Sequence, residues 1–521
     1  MANGISLFFR RSRQKLVDRW SGYAVLLGAG LLGAALISAV ISACGSGVDN
    51  PNPSATLAAE DRLETGLQGE VPLADQQSGR SATGYQKGMK LIGTNTLLDR
   101  GGNMQMTRYK NCAYVDQGAA TLSNHPLEGM AVLDVSDAAN LKLVSIISSP
   151  TGFNAWEGLE ASPARGFLLV FAGSRTNPIL GEVPPVLQGA IDDAFDIYDV
   201  SQDCTKPVRI ATFSTREVLP GGIHGLRIAP DGKTAYISTL QQEAAPASQA
   251  SLIAVDLSDL TSPKLIATWK WQDNPAETIA HAFHDGDISP DGTRLYWGST
   301  AELMNNLTDR NGVEVFDISS IQNRSASPSF VLLGSVYWND CSPQGHTVQY
   351  AKINGAPYVF AGAECTGNQL HVIPVSDPSN LKIVATFGLQ SSDPANAKAM
   401  AADGVLYQAH YTGVDNVDNA TTLFVTWYGS GLRALDIRDP LHIKEFAYLN
   451  PPAHPNVVFC GVACESAAVK GNFGPSGNQT KYEMVMSDVK YDSPTGNIWF
   501  AGVDGGLYVA HLTSTAGPNG L

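Results

Sequence analysis

Four of the ten histidines recur at intervals of about sixty residues, each at the start of an apolar segment. They are His224, His284, His346 and His410. Aligned on the same pattern, Glu157 occupies the corresponding place one interval earlier and Asp488 the place one interval later. Imidazoles from successive repeats of a fold can converge on a single ion, and imidazole is a ligand that suits iron and copper. The spacing therefore favours a multi-histidine metal site, with Glu157 and Asp488 beside it as catalytic groups for proton transfer.

Two other interpretations of these histidines stay open. They could be ordinary structural side chains that form hydrogen bonds between neighbouring repeats. They could also line a pocket for a small ligand that needs no metal. The sequence contains no serine nucleophile elbow, phosphate-binding loop or His-Glu-x-x-His motif, so the histidines remain its strongest candidates for chemistry.

A repeated scaffold is needed to bring the histidines together, and the sequence contains one. A phrase of the type Val-Leu-Asp-Val-Ser-Asp occurs seven times along the chain. Its first aspartate position falls at Asp134, Asp199, Asp256, Asp317, Pro374, Asp436 and His511. Each copy follows one apolar strand and most copies precede another, with a period that suits a four-stranded blade plus long loops. The pattern predicts an all-β fold, a seven-bladed β-propeller.

The seventh repeat contains three predicted strands and lacks a fourth. Residues 89–94, Met-Lys-Leu-Ile-Gly-Thr, match the fourth strands of other repeats, such as residues 142–146 and 264–268. We expect this N-terminal strand to pair with residues 506–512. Such pairing closes the ring of blades and leaves no sheet edge exposed.

The recurring phrase and the apolar strand after it resemble the LVIVD-repeat propellers, and residues 224–236 are similar to YVTN-type propellers. The resemblance covers residues 89 to 515 and implies a seven-bladed propeller at the cell surface or in the periplasm, without fixing an activity. In layout alone, the axial histidines are similar to those of carotenoid-cleaving oxygenases, which hold iron, and of selenium-binding, methanethiol-oxidising propellers, which use copper. This likeness implies copper or iron as the cofactor.

The first 44 residues are predicted to be a signal peptide. Basic residues between Arg10 and Arg19 precede an apolar stretch from Tyr23 to Ala43, and the ending Ile-Ser-Ala-Cys44 resembles a bacterial lipobox whose cysteine is lipidated. The alternative is an uncleaved membrane anchor, because the apolar stretch is long enough to span a bilayer. Both interpretations place everything after Cys44 outside the cytoplasmic membrane. Residues 45–85 are then predicted to be a flexible tether, and residues 86–521 the propeller.

Besides Cys44, the chain has an even number of cysteines, as expected for disulfides in an oxidising compartment. Cys341 and Cys365 flank the inner strands of one predicted blade, and Cys460 and Cys464 lie in one loop. We predict both bonds. By elimination, the remaining pair forms the third bond, Cys112–Cys204.

The net charge of −15 disfavours nucleic acid as a partner. Two functional hypotheses remain. In the first, the protein is a membrane-tethered binding scaffold that presents loops to another protein, a glycan or a small-molecule ligand. The alternative is a metal-dependent oxidoreductase with copper or iron at the multi-histidine site. The sequence favours the scaffold and leaves open whether the protein is an enzyme.

Overall fold

The computed structural model describes most of the predicted propeller. The described residues are 83–117, 129–147, 157–172, 194–219, 223–239, 250–274, 276–277, 281–301, 310–338, 345–363, 369–389, 409–454 and 483–513, with the backbone of Ala58–Ala59. Within these ranges the strands form seven sheets, each with at least four strands. The predicted all-β class and the predicted number of blades are confirmed.

Strands are numbered β1 to β30 along the described chain. Blade one contains β4 (Asn103–Tyr109), β5 (Cys112–Gln117), β6 (Met130–Asp134) and β7 (Lys142–Ile147). Blade two contains β8 (Leu159–Ser162), β9 (Phe167–Ala172), β10 (Ala194–Asp199) and β11 (Val208–Ser214). Blade three contains β12 (Leu226–Ile228), β13 (Thr234–Ser238), β14 (Leu252–Asp256) and β15 (Lys264–Trp269). Blade four contains β16 (His281–Ile288), β17 (Arg294–Ala301), β18 (Asn311–Asp317) and β19 (Val331–Trp338).

The remaining blades follow the same antiparallel order. Blade five contains β20 (Gly345–Ile353), β21 (Ala356–Ala363), β22 (Leu370–Pro374) and β23 (Ala385–Phe387). Blade six contains β24 (Thr412–Val414), β25 (Thr422–Thr426), β26 (Leu432–Asp436) and β27 (Lys444–Asn450), extended by β2 (Tyr85–Lys87) and β1 (Ala58–Ala59). Blade seven contains β28 (Lys490–Asp492), β29 (Asn497–Gly502), β30 (Gly506–Leu512) and β3 (Met89–Asn95). Short described helices are Leu97–Asp99, Trp271–Asp273, Ser319–Gln322 and Pro378–Asn380.

The first strand of each blade lies innermost. First strands of consecutive blades contact one another from blade one through blade seven, and β4 also contacts β29 of blade seven. The ring is therefore complete, with the first strands around its axis. Side chains at the N-terminal ends of these strands meet at one end of the axis.

The ring is closed by β3, as the sequence predicts. This strand is the fourth of blade seven and pairs antiparallel with β30, with Met89 opposite Leu512 and Asn95 opposite Leu507. Met89 and Leu512 are buried in the core between blades six and seven. Because one blade takes strands from both ends of the propeller sequence, separating the blades requires breaking this sheet.

The core lies between the faces of neighbouring blades. Trp269 of blade three meets Phe316 of blade four edge to face at 5.2 Å between ring centroids. Phe424 of blade six stacks on Tyr491 of blade seven at 5.3 Å. Each sheet is apolar on both faces, so stacking the blades removes both faces from water.

The repeated aspartates have a structural role in the turns after the third strands. In blade one, Asp134 Oδ1 accepts a hydrogen bond from the Ser136 amide at 3.0 Å, and in blade two Asp199 accepts one from Ser201 at 2.8 Å. Such side-chain acceptors stabilise tight turns. Because adjacent strands are antiparallel, these turns lie at the face opposite the starts of the first strands.

A disulfide bond joins Cys112, at the start of β5, to Cys204 in the turn after β10. It links blade one to blade two, confirms the predicted pair and is typical of proteins folded in an oxidising compartment. The other predicted pairs involve Cys341, Cys365, Cys460 and Cys464, which lie outside the described residues. Those two bonds remain predictions.

Removing the blade-one to blade-two disulfide is expected to lower the free energy of unfolding. The bond closes a segment with a sequence separation of 92 residues. Its loss therefore frees a long loop in the unfolded chain, and the double variant Cys112→Ala/Cys204→Ala should lose roughly 2–5 kcal/mol. Urea denaturation followed by circular dichroism measures the change. Equal midpoints for the variant and the parent protein would contradict the prediction.

The buried carboxyl of Asp116 should make stability depend on pH. Asp116 is fully buried at the end of β5, and burial raises its pKa to about 7, against the pull of the Gln117 amide and of Arg100. The unfolded chain loses this proton near pH 4 while the folded protein keeps it, so stability falls between about pH 4 and pH 7. Asp116→Asn cannot ionise. Its stability relative to the parent should therefore rise by about 3 kcal/mol from pH 5 to pH 8 in urea melts, and a pH-independent difference refutes this account.

The N-terminal predictions fall mostly outside the described residues. The described part of the chain contains no helix that is both long and apolar enough to cross a bilayer. Residues 1–44, which include the apolar stretch and Cys44, lie outside that part. Of the predicted tether, it contains Ala58–Ala59 and residues 83–85, where β1 pairs with the start of β2.

Candidate metal centre

The histidines lie where the innermost strands begin, and two of them lie in β-bulges. In β16 the pairing register skips from Phe283 to Gly286, which leaves His284 in the bulge. In β20 the register skips from Gly345 to Val348 and leaves His346 in the corresponding place. A bulge bends the strand and redirects the side chain of the extra residue. Both imidazoles thereby reach the axis.

Hydrogen bonds between blades define which residues are equivalent. The Ser238 hydroxyl, at the end of the second strand of blade three, donates to the His284 carbonyl at 2.6 Å. In the same way the Thr426 hydroxyl of blade six donates to the Ser487 carbonyl at 3.0 Å. Ser487 therefore occupies the position of the histidines in blade seven, and Asp488 lies one residue further along. The predicted equivalence of Asp488 with the histidines is therefore wrong by one residue. In a strand, a shift of one residue turns the side chain to the opposite face.

All four histidines surround the carboxylate of Glu157, which lies just before β8. The Nε2 atoms of His224, His284 and His346 lie 3.2, 3.8 and 3.7 Å from Glu157 Oε2, and that of His410 lies 3.3 Å from Oε1. The structure thus brings together five of the six residues that the spacing singled out. Glu157 lies at the centre of the cluster, and not beside it as the sequence suggested.

The imidazoles also contact one another in chain order. His224 Nε2 lies 2.9 Å from His284 Nε2, and the ring centroids of His284 and His346 are 3.7 Å apart. The ring of His410 follows at 4.1 Å from that of His346. The side chains of His284, His346 and His410 are at most 1% exposed, and that of Glu157 is 2% exposed. The cluster is compact and largely buried, and its most exposed member is His224, whose side chain is 10% exposed.

Burial and mutual contact set the charges of the cluster. Burial alone raises the pKa of Glu157, but His410 and His224 outweigh it by charge attraction and hydrogen bonding, and hold that pKa well below its usual value. Burial lowers the pKa of His284, helped by the neighbouring His346 and His224, and it lowers the pKa of His346, helped by His410. At neutral pH the centre therefore combines an ionised carboxylate with neutral imidazoles at His284 and His346.

Two further contacts orient the cluster. The Tyr411 hydroxyl donates a hydrogen bond to Glu157 Oε2 at 2.9 Å. His410 Nδ1 forms a hydrogen bond with the Met486 carbonyl oxygen, which can only accept, so Nδ1 carries a proton and Nε2 is the nitrogen that faces Glu157. Tyr411 was not predicted from the sequence, although its place directly after His410 is a signal that could have identified it.

Asp488 belongs to a second polar layer further along the axis. Its carboxylate lies 2.6 Å from Lys490 Nζ, and Asp285 lies 2.8 Å from Arg227 Nη2. Burial raises the pKa of Asp285 to about 6, although Arg227 opposes the shift. The two basic residues were not predicted. Arg227 lies three residues after His224, and Lys490 lies three residues after Ser487, which is the equivalent position in blade seven. This shared register could have revealed both.

Three side chains of the cluster have donor atoms close enough together that they could hold one metal ion. The ligand atoms of Glu157, His284 and His346 all lie within 4.8 Å of one another. Imidazole and carboxylate ligands bind transition metals at about 2.0–2.2 Å, so donors around one ion are separated by up to about 4 Å. Donor atoms up to 4.8 Å apart would have to move closer together to share one ion.

Comparisons with known proteins identify neither a family nor a function for the chain. No protein-family model matches the chain, and no curated protein sequence matches it. Among solved structures, the periplasmic gluconolactonase of Pseudomonas aeruginosa is 13% identical with a TM-score of 0.45, covering 75% of this chain and 97% of its own. The Cps50 (Swd1) propeller domain of Myceliophteria thermophila is 10% identical with a TM-score of 0.46, covering 82% and 100%. A chain of the mitotic checkpoint complex is 12% identical with a TM-score of 0.43, covering 94% and 100%.

Proposed function

We propose that this protein is a metal-dependent oxidoreductase whose single copper or iron ion is held by His224, His284, His346, His410 and Glu157. One observation carries the proposal. Four imidazole Nε2 atoms from four different blades lie within 3.2–3.8 Å of the same buried carboxylate. An arrangement that draws one side chain from each of five successive blades to a single point is what a metal centre requires.

The contacts favour a metal centre over structural histidines or an unspecialised scaffold. A structural histidine forms its hydrogen bonds with backbone between blades, as His410 Nδ1 does with Met486. The Nε2 atoms instead face one another and one carboxylate at the axis. Burying a carboxylate is costly without compensating positive charge. A bound cation supplies that charge, and the cluster offers it nitrogen and oxygen donors together.

Bound copper or iron would supply one-electron redox chemistry at a largely buried site. The chain itself would hold the ion with its imidazoles and one anionic carboxylate, and the hydrogen bond of His410 Nδ1 to the Met486 carbonyl leaves Nε2 facing the cluster. Asp488 does not contact the histidines. With Lys490 it lines the next layer of the axis, where we assign it to proton movement between the centre and the opposite end of the ring.

Metal analysis of the full-length protein, purified in detergent without added chelator, tests this proposal. We expect about one copper or iron per chain, and an electron paramagnetic resonance signal that changes on chemical reduction. A variant with His284→Ala and His346→Ala should purify with little metal. Purified protein without stoichiometric metal, and unable to take up Cu²⁺ or Fe²⁺, would leave the scaffold hypothesis in its place.

The location of the protein is part of the proposal. The basic segment, the apolar stretch and the lipobox-like ending at Cys44 support export and lipid anchoring, and the Cys112–Cys204 bond supports an oxidising compartment. The repeated phrase supports placement near the LVIVD-repeat propellers. Mass spectrometry of the N-terminal peptide tests the anchor, because a chain with an unmodified residue 1 and no lipid at Cys44 contradicts it.

A further inference from the structure

Tyr411 links the centre across the ring. It belongs to blade six, directly before β24, and its hydroxyl donates to Glu157 Oε2 of blade two at 2.9 Å. Both side chains are buried. Tyr411 therefore lies outside the imidazole cluster and holds the central carboxylate with its hydroxyl group.

The ring of Tyr411 is fixed by contacts that do not involve Glu157. Its amide donates to Thr426 Oγ1 at 3.1 Å, and its carbonyl accepts from the Thr426 amide at 2.9 Å. The ring stands edge-on to His346 at 5.4 Å and to His410 at 5.0 Å between centroids. The Arg227 guanidinium lies over the ring, 5.9 Å from its centroid. A side chain held in this way can help to orient the carboxylate of Glu157.

The two oxygens of Glu157 have different surroundings. Oε1 faces His410, whereas Oε2 faces His224, His284 and His346 and accepts the hydrogen bond from Tyr411. When the imidazole nitrogens turn to a metal ion, they no longer hold the carboxylate by hydrogen bonds. The hydroxyl of Tyr411 is not needed for coordination and remains to hold it.

We infer that Tyr411 is a positioning residue that fixes the carboxylate of Glu157 for metal binding, an inference that rests on the proposed function. Hydrogen-bond partners of metal ligands set ligand orientation, and their removal commonly weakens metal binding by roughly 10- to 100-fold. Tyr411→Phe removes one oxygen atom and keeps the ring contacts and both backbone hydrogen bonds to Thr426. It therefore isolates the hydroxyl.

The test compares Tyr411→Phe with Tyr350→Phe in the full-length protein, using Cu²⁺ as the probe. Tyr350 is a buried tyrosine of β20 that stacks on Tyr296 at 5.3 Å. For Tyr411→Phe we expect about one Cu²⁺ per chain, an affinity lowered by roughly 10- to 100-fold and an altered paramagnetic resonance spectrum, with an unchanged thermal midpoint. Tyr350→Phe should match the parent in affinity and spectrum.

The outcomes separate the two claims. If the parent binds Cu²⁺ at the cluster while Tyr411→Phe has the same affinity and spectrum, the positioning role is wrong and the metal centre stands. If Tyr411→Phe loses affinity only together with its thermal midpoint and circular dichroism, the role is structural, which also overturns the inference. If the parent binds no metal, both claims fail.

Discussion

Glu157→Gln is expected to weaken metal binding by roughly 100-fold or more, beyond the effect of removing a supporting hydrogen bond. The glutamine has nearly the same shape and can still accept the hydrogen bond from Tyr411. It lacks the negative charge at the point where the four Nε2 atoms converge, and its amide nitrogen is not a metal ligand. Titration with Cu²⁺ and Fe²⁺ in competition with a chelator of known affinity measures the change.

Glu160→Gln is the matched control for this experiment. Glu160 lies three residues later, in β8, where its Oε2 accepts a hydrogen bond from the Ile228 amide at 2.7 Å. The described contacts of Glu160 include none with the four histidines, so Glu160→Gln should keep the metal affinity of the parent. Equal affinities for Glu157→Gln and the parent would remove Glu157 from the set of ligands.

Deleting the closing strand is expected to have the largest effect on stability. A chain that lacks residues 1–95 loses β3 and exposes the edge of β30, from Gly506 to Leu512. An unpaired edge next to buried apolar side chains promotes aggregation. We expect this chain to fold poorly or to unfold with a free energy lower by more than about 4 kcal/mol. Size-exclusion chromatography and urea denaturation measure the effect.

A chain that lacks residues 1–87 is the control for the deletion. It loses β1 and β2 but keeps Met89–Asn95, so blade seven retains four strands. Both deletions remove the predicted signal peptide, so each chain is fused to the same foreign signal peptide. The shorter deletion should then give a folded protein that unfolds cooperatively. Similar behaviour of the two deletions would show that β3 does not close the ring.

The fold could be predicted from the sequence because the propeller repeats itself. A phrase that recurs about every sixty residues fixes the number of blades, and each copy repeats the same alternation of strands and turns. Even the place of β3 in blade seven could be predicted. Met89-Lys-Leu-Ile has the pattern of a fourth strand, and the seventh repeat lacks a fourth strand. The six-stranded sheet of blade six could not, because β1 and β2 carry no repeat pattern.

The candidate site was predictable only in part. His224, His284 and His346 share one register in their repeats, and His410 was placed correctly despite the insertion that follows it. Asp488 was misplaced by one residue, because spacing alone does not reveal a bulge or the direction of a side chain in a strand. Tyr411 and Arg227 reach the axis from positions one and three residues after a histidine. Their contacts with other blades depend on the twist of the sheets, which the sequence pattern does not contain.

The most direct measurement is X-ray diffraction from crystals of the protein as purified, with anomalous data collected on both sides of the copper and iron absorption edges. The account predicts one anomalous peak at the axis, about 2.0–2.2 Å from the Nε2 atoms of at least three of the four histidines and near a Glu157 oxygen. The account is contradicted if no peak lies there, either as purified or after soaking in Cu²⁺ or Fe²⁺, and Glu157 remains hydrogen-bonded to the imidazoles.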